Sequence, residues 1–106
     1  MSSERISPNP PPQVAKGYAL LERGRLELEG GAADEASSSF IEGIQSARGD
    51  KALLAQAHLL KGLALDRLSQ RHATLREYQN VLALPNIDET HRIASSFSKI
   101  PFQGGL

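Results

Sequence analysis

The stretch DKALLAQAHLLKGLALDRLS, residues 50–69, decides the fold. Wound as a helix, Leu53, Leu54, Leu59, Leu60, Leu63, Leu65 and Leu68 point in nearly every direction, and a helix that is apolar all round must be covered on several sides. Asp50 stands where its carboxylate can cap the first turn. Gln56, His58, Lys61, Asp66 and Arg67 interrupt the leucines, so no run approaches the roughly 18 apolar residues that span a bilayer, and no membrane insertion is expected.

The rest of the chain offers the covers. From Gln13 to Glu29, Val14, Tyr18, Leu21 and Leu28 recur at helical spacing with Arg25 in the same row, and Gly30-Gly31 stops the run. A second helix from about Ala33 has Asp34 and Glu35 near its positive end. It carries Ala36, Phe40, Ile44 and Ala47 along one face, and Gly49 ends it. Beyond the central helix, residues 71–84 place Leu75, Tyr78, Val81 and Leu82 on a face, and Pro85 breaks the ladder. Asn86 and Glu89 have capping-box spacing, which predicts a short fifth helix ending before Pro101, with Ile93, Phe97 and Ile100 as a stripe that closes the end of the core. No alternation of apolar and polar residues persists, so strands have no support. The fold class is all-α: two stacked antiparallel helical hairpins plus a C-terminal capping helix. Residues 1–12, with Pro8, Pro10, Pro11 and Pro12, read as a disordered proline-rich arm, 13–100 as the helical domain and 101–106 as a flexible tail.

Sliding the sequence against itself by 38 positions lays Gly24 on Gly62, Leu21 on Leu59, Phe40 on Tyr78 and Ile44 on Leu82. Each copy has a glycine in its first helix and a bulky aromatic in its second. This arrangement resembles the tetratricopeptide (TPR) repeat over roughly Gln13 to Pro85. The glycine lets the helices cross closely, at a propensity cost of about 1 kcal/mol. Ala36 and Thr74 fall where the family has a small residue, as does Gly43, whereas Val81 is larger; Pro85 lies near the closing proline. The chain also departs from the pattern. Arg23 and Lys61 precede the glycines where the family has apolar residues, and Leu20 and His58 replace its large aromatic. The period exceeds the usual length of about 34, with the excess around Ala47 to Lys51.

Composition excludes several classes. Lys+Arg and Asp+Glu balance at 12 each, leaving no field to hold a polyanion, so nucleic acid is not an expected partner. The chain has no cysteine, hence no thiolate chemistry, and His58, His72 and His91 lack the spacing of a two-ligand turn, so neither metal nor cofactor is expected. His58 reads instead as an interface histidine bonded to a backbone group or carboxylate. Ser37-Ser38-Ser39 reads as a solvated outer face, and Gly30-Gly31 as a turn and not a phosphate loop. No constellation supports an enzyme. The segment before Pro12 has no apolar signal core, which makes a cytoplasmic setting the default.

The resemblance implies a concave surface made by the first helices, holding a hydrophobic peptide or amphipathic helix of another protein, or a second copy of the chain. Its residues would be Tyr18, Leu21, Arg25, Leu28, Gln56, Leu59 and Leu63. Where some family members grip a terminal carboxylate with lysine and asparagine, this chain has leucines and Arg25, so the carboxylate clamp is absent. Leu59 and Leu63 would then face the partner; the alternative is that these leucines are core. The reading is a small non-enzymatic adaptor or assembly subunit. The competing class is a helical DNA-binding or regulatory module reading the groove with Arg71, His72 and Arg76.

Overall fold

The computed structural model describes residues 11–103, so most of the proline-rich segment and the last three positions lie outside the described residues. Five helices follow in order: α1 Pro12–Glu29, α2 Ala33–Gln45, α3 Lys51–Arg67, α4 Arg71–Leu82 and α5 Thr90–Lys99. The molecule is all-helical, with no strand among the described residues. None of these helices is long and apolar enough to cross a membrane.

The local signals act at most of the helix ends. Pro12 is the first residue of α1 and not part of an extended arm, because an N1 residue needs no hydrogen-bonded N–H and its fixed φ suits the helix. Asp50 Oδ1 accepts from the Leu53 amide at 2.9 Å and starts α3 as predicted. α4 ends at Leu82, two residues before the expected Leu84, since Pro85 biases the residue before it away from helical geometry. The capping box at Asn86 and Glu89 does not form. Glu89 sits in the left-handed region at φ 62°, and the start of α5 is tied instead by Asn86 Oδ1 accepting from the His91 amide at 3.1 Å.

α1 packs on α2 and α3 on α4 as hairpins, and α3 touches all four other helices, which is the covering its sequence requires. At the centre of each hairpin an aromatic ring lies on a glycine. A Cβ built on Gly62 would stand 2.5 Å from Tyr78 Cε1, and one on Gly24 would run into the Phe40 ring in the same way. Phe40 and Tyr78 are fully buried, as are Ala36 and Thr74 one turn earlier; Thr74 Oγ1 donates to the Gly62 carbonyl at 3.2 Å. The two hairpins thus share one ring-on-glycine contact at their centres.

The C-terminal end differs from the expected stripe. α5 buries Thr90 and Ala94, leaves Ile93 and Phe97 half-buried, and leaves Ile100 71% exposed. Ile100 has left helical geometry, with φ −125° and ψ 117°, and so drops off the stripe. Phe102 takes its place. Assigned to a flexible tail by sequence, it is buried edge-to-face on Phe97, ring centroids 5.3 Å apart, with its amide donating to Asp66 Oδ2 at 2.9 Å. The outward residues of α5, Arg92, Ser95, Ser96 and Lys99, are polar, so the helix closes the stack with a face suited to water.

Gly62→Ala tests the ring-on-glycine contact. On an exposed helix the change would stabilise by about 1 kcal/mol through propensity. Here the fully buried Tyr78 ring has nowhere to move, and a destabilisation of about 1 to 3 kcal/mol in chemical denaturation is expected.

Candidate functional site

Of the seven residues that the sequence assigns to a concave surface, Leu21 and Leu28 are buried in the core and Tyr18 is half-buried against it. The other four, Arg25, Gln56, Leu59 and Leu63, come together at a cavity of about 370 Å³. Its floor is Leu59, Leu60 and Leu63 of α3, one wall is Arg25 of α1, and the other is Thr90, Ile93 and Phe97 of α5 with Asp88 ahead of it. α1 and α5 each pack on α3 but not on each other, which leaves a trough over α3 between them.

Leu59 and Leu63, 7% and 2% exposed, are core residues that also border the cavity. A charge placed on either would be buried without a partner and would unfold the chain instead of only blocking a surface. The wall contributed by α5 was missed by sequence reasoning. The signal that could have found it is a second application of the 38-residue shift: it lays Leu21 on Leu59, and then Leu59 on Phe97 and Asp50 on Asp88.

Charges stand only at the lips. Gln56 Nε2 donates to Asp88 Oδ2 at 3.2 Å across the gap between α3 and α5, and Arg25 Nε lies 3.9 Å from Glu22 on its own helix. The Tyr18 phenol, packed against the core, is pushed up by burial and, less, by the Asp50 and Asp88 carboxylates, so it stays a neutral hydroxyl. Such a surface can take up apolar side chains and orient them. It offers no nucleophile with an adjacent base, and among the described residues no group of three His, Asp or Glu side chains is placed to hold a metal ion.

The remaining polar side chains bind the helices to each other. His58 Nδ1 meets Glu77 Oε1 at 2.6 Å; the carboxylate only accepts, so that nitrogen carries a proton. Lys61 Nζ lies 2.9 Å from the other oxygen. Burial pushes the Glu77 carboxyl up, but the hydrogen bonds and charges of His58 and Lys61 outweigh it and hold the group below the ordinary glutamate range. One repeat earlier, Ser39 is buried and not solvated: it accepts from Arg23 Nε at 3.0 Å and donates to Glu27 Oε1 at 2.6 Å. Arg23 and Lys61, the departures before the glycines, therefore do the same work in both copies.

Asp66, whose side chain is 3% exposed, gathers Arg71, Tyr78 and the Phe102 amide, while Arg71 Nη2 also donates to the Ser98 carbonyl at 2.7 Å. Burial and then the Asp66 charge push the Tyr78 phenol far up, so it remains a donor throughout the physiological range. Arg71 is engaged in holding α4 to α3 and to the end of α5.

A lowered carboxyl pKa stabilises the fold above the unfolded glutamate value, and that stabilisation fades as pH falls through the folded value. Glu77→Gln is expected to lose about 1 to 2 kcal/mol at neutral pH and to flatten the acid limb of a melting-temperature profile, the two proteins converging at low pH. The chain matches no protein-family model, no curated protein and no solved structure.

Proposed function

We propose that the chain is a small non-enzymatic, cytoplasmic adaptor or assembly subunit of TPR-like build, which holds an apolar segment of another protein in the trough over α3. The observation that carries this reading is the position of the cavity: the first helices of successive hairpins build it, its floor and one wall are apolar, and its charges lie at the rim. Burying apolar area there supplies about 25 cal/mol per Å², whereas a polyanion would find Arg25 alone. The DNA-binding alternative is weakened by the zero net charge and by the engagement of Arg71 with Asp66 and Ser98.

Ile93 is the residue with which to test the trough, because it lines the wall and is half-exposed, so a charge there can reach water in the free protein. Binding of a helical peptide with leucines at i, i+3, i+4 and i+7 is expected to weaken about tenfold or more with Ile93→Asp, at unchanged helix content by circular dichroism. Equal binding by both proteins would overturn the reading, as would salt-sensitive binding of duplex DNA by the wild type.

A further inference from the structure

The lip of the trough carries a carboxylate that is fixed and yet not neutralised. Asp88 is the first of two consecutive non-glycine residues in the left-handed region, with φ 53° followed by 62° at Glu89. Aspartate tolerates that region, and Arg48 and Ser69 adopt it in the other inter-helix turns, so the conformation places Asp88 as part of the turn before α5. This turn sets the carboxylate against Gln56, whose amide holds Oδ2 at 3.2 Å from the far side of the gap. Glu89 has Arg92 at 2.6 Å, but no cation among the described residues pairs with Asp88, although it lines the cavity. The charged side chains that line the cavity are Asp88 on the α5 side and Arg25 on the α1 side, while the floor is leucine.

Resting on the adaptor reading, we propose that the occupant of the trough is an amphipathic helix with a lysine or arginine at the edge of its apolar stripe, and that this cation pairs with Asp88. The apolar stripe supplies the contact area, and the charge pair selects the sequence and its placement. Charge at an interface rim chiefly governs choice of partner and rate of encounter, and Asp88 is positioned to do both. A helix suits the trough because its two walls are themselves helices lying on α3, and a third would complete the layer above it.

The test uses the full chain and three synthetic helical peptides with one leucine stripe, differing only in whether lysine, glutamine or glutamate flanks the stripe. Fluorescence anisotropy at low salt is expected to rank lysine above glutamine above glutamate, the extremes differing about three- to tenfold, with the difference shrinking as salt is raised. Asp88→Asn keeps a residue that accepts the left-handed conformation and is expected to abolish the ranking. Glu89→Gln, outside the cavity, is expected to preserve it. Equal affinities that Ile93→Asp still weakens would overturn the charge pairing and leave the adaptor reading standing. Absence of binding, or binding that Ile93→Asp does not change, would overturn both. A wild-type dimer in sedimentation that Ile93→Asp dissociates would put a second copy in the trough and overturn the proposed occupant.

Discussion

An aromatic ring laid on a helical glycine sets the geometry of this molecule. Phe40 on Gly24 and Tyr78 on Gly62 fix how closely the two helices of each hairpin approach, because any side chain on the first helix would collide with the ring of the second. The glycines weaken their own helices, and complete burial of the rings and the small residues beside them offsets that cost. The two hairpins then pack on each other through α2 and α3. α3 is then enclosed by its neighbours, and its leucines are satisfied in every direction.

The two copies are equal in shape but not in polarity. In the first, Leu28 fills the core near the end of α1; in the second the same repeat position is Asp66, buried to a similar degree. A buried carboxylate costs several kcal/mol unless its oxygens are occupied, and here Arg71, Tyr78 and the Phe102 amide occupy them. That requirement draws the chain back after α5 and seats Phe102 against Phe97. A like exchange separates Ser39 from Glu77, where the second copy uses a full ion pair to hold the helices that the first holds with a hydroxyl.

The leucine-rich stretch, the mid-helix glycines and the capping aspartate made the helix count and the central place of α3 legible in the sequence, since each is a local or periodic signal. The C-terminal end was less legible. Ile93, Phe97 and Ile100 have helical spacing, but Pro101 and the extended backbone at Ile100 break the stripe, and Phe102 is recruited by a carboxylate 36 residues earlier in the chain. No local pattern announces a contact of that range. The candidate site was half legible for a related reason: α1 and α3 were aligned by their glycines, whereas the position one shift beyond Gly62 is Ile100, which lies past the end of α5, so nothing drew α5 into the alignment. Leu21 and Leu28 were assigned to the surface by the family resemblance, which names the inner helices but not what covers each of their residues in this chain.

The division of labour within the trough follows from its floor. Leu59, Leu60 and Leu63 are almost fully covered by their own chain, so a partner gains little further burial from them. The area it can remove from water lies on Ile93 and Phe97, both on the short α5. α5 is in turn held to α3 and α4 by a limited contact, reinforced by Arg71 reaching Ser98 and by Asp66 reaching Phe102. Anything that loosens the Asp66 cluster therefore loosens the wall of the trough as well. On the adaptor reading proposed above, stability of the C-terminal cap and occupancy of the trough would be linked: a partner that bound only the docked position of α5 would stabilise the cap by mass action, and would meet an affinity reduced by whatever fraction of molecules has the cap undocked.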